Sequence, residues 1–317
     1  MQFFTASALL LGATAVAWTG QASGGIPAVD VVMIRVDAQR WSSPHPISKY
    51  ITGKFCEHLG ANIYNGMDAQ ILRNPTFADY PFGGSEGPSG GADFLSDPKE
   101  IASRLRKQAA QFGWPDAELD RLVEAREDAL ACWWIRAGSR KAVETSPDIG
   151  PCGGRAQRVG ISRAGDGIAQ WVFLPLHRVR RYEVEILARS PDITSLAVAL
   201  VAGDSKEPAA KAALSGLAGQ WRTLRSTLTV DAQSPAEAAY RFVVTADAAG
   251  QFVIGRATLR PADHINGADP DVVRLLKESR LPLLRWPGGN FVSGYHWADG
   301  DCRCLPTSRP SRARMSG

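Results

Sequence analysis

Between Cys132 and Ala262 the apolar residues recur with a period of two, and this alternation limits the fold more than any other feature of the chain. Tyr182, Val184, Ile186 and Ala188 alternate with Glu183, Glu185 and Arg189. Leu224, Leu228 and Val230 partly alternate with Thr223, Thr227 and Thr229. Tyr240, Phe242 and Val244 repeat the theme, and Phe252 to Leu259 adds another run. Successive side chains of a strand point to opposite faces, so such runs build sheets with one face in a core and the other in water. Six to eight short strands separated by Gly, Pro, Asp and Ser turns predict a β-sandwich over residues 132 to 262.

The flanks read differently. Val31 to Val36 predicts a strand, Asp37 to Pro46 is polar and turn-rich, and Ile51 to Leu59 is a short apolar run with Glu57 near its end. Asn62 to Phe77 is polar, with a turn signal at Asn74-Pro75, and GGSEGPSGG (83 to 91) has the composition of a flexible linker. Two helices should follow. Asp97 can cap the first, with Pro98 in its first turn and Ile101, Leu105, Ala109 and Phe112 on one face. The second should run from about Asp116 to Ala131, with Leu119, Leu122, Val123 and Leu130 as its stripe.

Helical signals return after the sandwich. Asp269 is a good N-cap, Pro270 fits the first helical position, and Val272, Val273 and Leu276 form an apolar side. Leu281 to Trp286 predicts a buried strand ending in Pro287-Gly288-Gly289-Asn290. A helix followed by an apolar strand with polar residues at its C-terminal end is the unit of a parallel α/β sheet or (β/α)8 barrel.

Composition sets bounds on partners. The 317 residues are 44% hydrophobic and 21% charged, the balance of a globular protein of about two domains. Four arginines against one aspartate in Asp301 to Gly317 supply +3 of the net charge of +4, leaving +1 for the first 300 residues. The basic balance belongs to the tail, so no nucleic-acid surface is expected. Phe3 to Ala17 is an apolar run short of a bilayer span and is followed by small residues. It predicts a signal peptide and a secreted or periplasmic protein, with no membrane partner in the mature form; a mispredicted start or a disordered leader is the alternative. Cys56, Cys132, Cys152, Cys302 and Cys304 form no CxxC pair and no metal spacing. Cys132 and Cys152 could pair after export, and neither a metal nor a cofactor is expected.

Chemistry concentrates in two segments where polar groups end apolar strands, Gly53 to Gly60 (GKFCEHLG) and Leu284 to Tyr295 (LRWPGGNFVSGY). The C-terminal ends of parallel barrel strands form the active face, so Glu57, Arg285 and Asn290 would share one pocket suited to sugar hydroxyls. The alternative is an internal ion pair of Glu57 with Arg285 bracing the barrel rim. Trp133, Trp134, Trp171 and Trp221 are candidates for stacking on sugar rings, and core positions are the competing reading. Glu183 and Glu185 read as a solvated strand face, and His58 as packing against the rim.

These two segments, with NIYNG (62 to 66) and QILRNPTF (70 to 77) between them, resemble the α-L-arabinofuranosidases of the (β/α)8 clan of retaining glycosidases. FCEHLG is similar to that family's first barrel strand, and LLRWPGGNFVSGYHWADG to its second strand and following loop. The middle resembles the carbohydrate-binding sandwich that one branch inserts between them. The resemblance implies a mixed α/β and all-β fold, in which the first two strands of a barrel flank a jelly-roll-like β-sandwich. It implies that Glu57, Arg285 and Asn290 bind an arabinofuranose, and that the ligand is an arabinose-containing polysaccharide or oligosaccharide. The family's acid/base and nucleophilic glutamates come from later strands, so no catalytic residue is assigned here. The expected division is a signal peptide (1–25), an N-terminal strand with the first barrel strand (26–77), and a linker with two helices (78–131). The sandwich (132–262), a barrel helix with the second barrel strand (263–300), and an aberrant tail (301–317) complete it. The tail reads as out-of-frame translation or as a genuine disordered segment, and a truncated, catalytically silent chain is expected. Two alternatives stay open: a carbohydrate-binding module without catalysis, and a sister glycanase of the same clan.

Overall fold

In chain order, a 3-10 turn at Lys49–Thr52 leads into β1 (Lys54–Phe55), followed by helices α1 (Pro98–Gln111) and α2 (Asp116–Glu127). The next five strands are β2 (Ile135–Ala137), β3 (Val143–Ile149), β4 (Arg155–Ile161), β5 (Gly167–Phe173) and β6 (Arg181–Arg189). Then come β7 (Ser195–Ala202), β8 (Ala210–Ser215), β9 (Arg222–Thr229), β10 (Ala239–Ala246) and β11 (Gly250–Pro261). Helix α3 (Pro270–Glu278) and β12 (Leu284–Arg285) follow. The computed structural model describes residues 47–56, 63, 66–78, 98–151, 153–286 and 288. The described residues from Ser48 onward fall in one of the two compact units into which the chain divides. The strand expected at Val31 to Val36, the GGSEGPSGG linker, His58 and the tail lie outside the described residues.

Two five-stranded antiparallel sheets form the bulk, in the orders β2-β5-β10-β7-β8 and β3-β4-β11-β6-β9. The alternating residues point as the pattern requires. Tyr182, Val184 and Ile186 of one sheet meet Leu196, Val198, Leu200, Tyr240, Phe242 and Val244 of the other in a single apolar core. Ten strands stand where six to eight were expected, because edge segments such as VETSPDI (143 to 149) alternate too weakly to be read. In β11 the inward set shifts from Phe252 and Ile254 to Ala257 and Leu259 across a register break between Ile254 and Arg256. One inserted residue at such a bulge re-aims every later side chain. Gly255 sits at the break, where an added Cβ would come within 3.1 Å of Pro151 and Trp221.

β4 pairs with β11 only as far as Ile254, and the segment Gln70 to Pro75 takes up the edge beyond. The Ile71 amide donates to the Leu259 carbonyl at 3.0 Å, and the Ala257 amide donates to the Pro75 carbonyl at 2.8 Å. Leu72 and Phe77 join the sandwich core. The turn expected at Asn74-Pro75 is present, with Asn74 at a φ of 46° and its side chain bonded to the Ala78 backbone in both directions.

Helices α1 and α2 cover the outer face of the β2–β5 side. Ile101, Leu105, Ala109, Leu119 and Leu122 pack on Ile135, Ala169 and Trp171. Two sequence expectations need correction here. Phe112 falls one residue beyond α1 and is 39% exposed, so it is not part of the buried stripe. α2 stops at Glu127 rather than at Ala131, and Ala129 reverses the chain at a φ of 62° so that Leu130 enters the core beneath it. Helix α3 is capped as expected: the Asp269 side chain accepts from the Asp271 and Val272 amides, and Pro270 opens the helix.

β1 and β12 pair in parallel, Lys54 opposite Leu284 and Phe55 opposite Arg285. The strand expected to be buried over Leu281 to Trp286 is only two residues long and is exposed, with Trp286 56% accessible. Among the described residues β1 is its only strand partner.

Candidate functional site

The parallel pair brings the two sequence motifs side by side. The Cys56 amide donates to the Arg285 carbonyl at 2.9 Å, and the Gly288 amide donates to the Cys56 carbonyl at 2.7 Å. Gly288 is required at this approach, since an added Cβ would lie 2.5 Å from the Phe55 ring. The Arg285 guanidinium lies over Phe55, 5.2 Å from the ring centroid, and no described carboxylate forms an ion pair with it. Glu57 and Asn290, the other two expected sugar ligands, lie outside the described residues. So does Cys152, the expected partner of the buried Cys132.

The four tryptophans divide. Trp134 is fully buried, stacked on Phe77 at 4.8 Å between centroids, and its indole N–H donates to the Asn74 carbonyl. Trp133 is 3% exposed and packs edge-on against Phe112 and Trp114. Trp171 is 3% exposed under the helical layer. Burial of these three favours the competing core reading over stacking on sugar rings. Trp221 differs, being half-buried on the outside of the second sheet beside Gly255, with the Arg189 guanidinium 5.1 Å from its ring.

The carboxylates of β6 are ion-paired. Glu185 binds Arg225 and Arg256, while the exposed Glu183 faces His264 at 3.3 Å. The face is solvated at Glu183, as expected, but Glu185 is held by two guanidinium groups and is only 22% exposed.

Sequence reasoning missed a second concavity, a cleft of about 520 Å³ at the end of the sandwich. Arg73, Phe112, Trp114 and Phe173 line part of it, and Asp68, Arg178, Asp269 and Asp271 line another part. Arg178 binds three carboxylates: Asp263 at 2.7 Å, Asp269 at 3.0 Å and Asp271 at 2.7 Å. Burial works to lower the Arg178 pKa, but hydrogen bonds to Asp269 and Asp271, with the charges of Asp269 and Asp263, outweigh it and hold it above its ordinary value. Arg178 thereby ties the end of β11 to the N-terminus of α3. Arg73 is different, since its guanidinium lies over Phe112 at 3.3 Å and Trp133 at 4.8 Å and pairs with no described carboxylate. Burial pulls its pKa down to about 10. The only sequence signal for it was a lone cation within QILRNPTF.

No family model matches the chain. A 60-residue stretch is 62% identical to the intracellular exo-α-(1→5)-L-arabinofuranosidase of Halalkalibacterium halodurans, covering 16% of this chain and 12% of that protein. Forty residues are 50% identical to α-L-arabinofuranosidase C of Emericella nidulans, 13% of this chain and 8% of the relative. Forty residues are 54% identical to the intracellular exo-α-(1→5)-L-arabinofuranosidase 1 of Bacillus subtilis, again 13% and 8%. The matched segments thus span about an eighth or less of these relatives' own lengths. Among solved structures, the CBM22-1 xylan-binding domain of Paenibacillus barcinonensis Xyn10C aligns with a TM-score of 0.33 at 10% identity, over 44% of this chain and 92% of that one. The CBM22-1–GH10 modules of Clostridium thermocellum Xyn10B, crystallised with xylohexaose, align with a TM-score of 0.32 at 18% identity, over 43% and 28%. Scores and identities this low assign neither a ligand nor an activity. Over short segments, then, the chain is related to arabinofuranosidases, and its described bulk is a two-sheet β structure with few helices.

Proposed function

We propose that the chain is a glycan-recognising part of an arabinofuranosidase-type retaining glycosidase, acting on terminal α-L-arabinofuranosyl groups of plant polysaccharides. The observation that supports it most is the parallel pairing of Lys54–Phe55 with Leu284–Arg285, which aligns two motifs lying on opposite sides of the whole sandwich in sequence. Glu57 follows Cys56 in the chain and Asn290 lies two residues beyond Gly288. In this reading Glu57, Arg285 and Asn290 hydrogen-bond one furanose, and the β1–β12 pair opens a (β/α)8 barrel. The protein works outside the cytoplasm, where its polysaccharide is.

Retaining hydrolysis needs two carboxylic groups flanking the scissile bond, one to protonate the leaving oxygen and one to attack the anomeric carbon. This reading assigns Glu57 to binding and no residue to either catalytic role. The pure 317-residue chain should therefore leave 4-nitrophenyl α-L-arabinofuranoside intact. Sustained turnover, abolished by changing a single carboxylate, would overturn the assignment. A second reading, binding without catalysis, is favoured by the outer face of the second sheet, where half-buried Trp221 lies 5.1 Å from the Arg189 guanidinium. Trp221→Ala weakens polysaccharide retention on that reading and leaves it unchanged on the first.

A further inference from the structure

The cleft beside Arg73 belongs neither to the strand-end motifs nor to the outer face of the second sheet. Its volume, about 520 Å³, falls in the range of small-molecule sites. Three properties of its lining narrow the ligand. First, Arg73 brings a planar set of N–H donors, none of them bonded to an acceptor of a described residue; its backbone N–H and C=O are instead clamped by Gln170 at 2.6 and 2.9 Å. That clamp fixes the main chain beneath the guanidinium, so the fork is held in place without spending its own donors. Second, two aromatic rings in the cleft keep open surface, Phe112 at 39% and Phe173 at 49%. Third, the negative groups are already engaged. Asp269 and Asp271 bind Arg178, and an Asp68 oxygen accepts from the Gln70 amide at 3.0 Å. Arg73 is thus the lining cation that has no carboxylate partner among the described residues, as Asp68 is the lining carboxylate that has no cationic one.

A half-buried cation without a counter-ion is partly desolvated, and an incoming carboxylate offsets that cost through two parallel charge-assisted hydrogen bonds. Exposed aromatic faces favour a ring with apolar C–H surface. We propose that this cleft binds a uronic-acid residue, with its carboxylate on Arg73 and its pyranose ring against Phe112 and Phe173. The sugar ring in this assignment rests on the glycan-related reading above, whereas carboxylate selectivity rests on the cleft alone.

Calorimetry on the full 317-residue chain tests it with three probes: methyl β-D-glucuronide, methyl β-D-glucoside and acetate. The glucuronide should bind at least about tenfold more tightly than either of the others, since a charge-assisted bidentate pair is worth at least one power of ten. Arg73→Met should abolish the preference. Arg73→Lys, which keeps the charge but not the fork, should reduce it several-fold, and both variants should melt within a few degrees of the parent. Equal affinity for glucuronide and glucoside, acetate binding as tightly as the glucuronide, or a preference unchanged in Arg73→Met would each overturn the proposal. Migration in gels containing glucuronoxylan, with and without carboxyl reduction, identifies the source. Retardation only by the acidic polymer marks a polysaccharide side group, and monosaccharide selectivity without gel retardation marks a free sugar acid. Arg285→Ala should leave glucuronide binding intact, so failure of the arabinofuranose reading is distinguishable from failure of this one.

Discussion

Gln70, Gln157 and Gln170 are glutamines in apolar surroundings, and each replaces a stretch of missing strand ladder. The Gln170 side chain both accepts from and donates to the Arg73 backbone, as a partner strand would. The Gln70 carbonyl oxygen takes the amides of Leu72 and Leu259. Gln157 takes the Ala131 amide and donates to the Ser146 and Arg158 carbonyls. Truncating such a group leaves two buried backbone groups unmatched at about 1 to 3 kcal/mol each. Gln170→Leu should therefore cost at least about 2 kcal/mol in urea unfolding, against less than about 0.5 kcal/mol for Gln233→Ala on the surface. A neutral Gln170→Leu would show that the clamp is dispensable. Acid sensitivity belongs at the same scale. Burial works to raise the Asp148 pKa, but the Ile149 amide and the guanidinium groups of Arg158 and Arg189 outweigh it and hold it below the ordinary carboxylate value. A carboxylate with a depressed folded pKa stabilises the fold above its unfolded value, and that contribution disappears as pH falls through the folded value. Unfolded aspartate titrates near about pH 3.9, so Asp148→Asn should remove stability at neutral pH and flatten the loss seen below about pH 4. A parallel loss in parent and variant across that window would contradict the ion-pair account.

Among the elements, the strands that alternate strictly and the helix with a complete start signal were legible in the sequence. Asp269-Pro270 marked the beginning of α3 because the cap is a local interaction made within one turn. The Tyr182 to Ala188 run marked β6 because one of its faces is wholly buried. Elements set by tertiary contacts were not legible. The polar stretch at 70 to 75 runs along β11 only because the bulge at Gly255 frees an edge that β4 no longer covers. Arg73 was hidden for the same reason, as its aromatic neighbours Phe112 and Trp133 come from beyond α1 and from the turn before β2. Trp134 and Trp171 looked the same as Trp221 in sequence, and only the helical layer and the core separated them. Since Leu72 and Phe77 belong to the sandwich core, a fragment covering 66 to 268 should unfold cooperatively. One beginning at Asp93 should melt at least several degrees lower. Equal melting temperatures would show that the segment rides on the sandwich without supporting it. Within the helical layer, Leu105→Ala should cost roughly 2 to 5 kcal/mol, whereas Leu275→Ala on α3, whose side is 55% exposed, should be near neutral.

Across the molecule as a whole, the two proposed recognition surfaces fall at different places on one β framework. The arabinofuranosidase-related motifs meet at a short parallel pair, and the cleft of Arg73 lies where the segment after the first motif enters the sandwich. The same pair leaves Ile51, Leu283, Leu284 and Trp286 exposed, an apolar edge of the kind that recruits another chain. Leu283→Lys should lower concentration-dependent association in light scattering without changing the melting temperature. If arabinofuranose recognition at the strand ends is the purpose of that pair, Arg285 is the described residue on which it depends. Native electrophoresis of the intact chain in a gel containing neutral arabinan tests this most directly. The account predicts retardation of the parent protein and its loss in Arg285→Ala, with the melting temperature of the variant unchanged; free migration of the parent, or retardation equal in both, would contradict it.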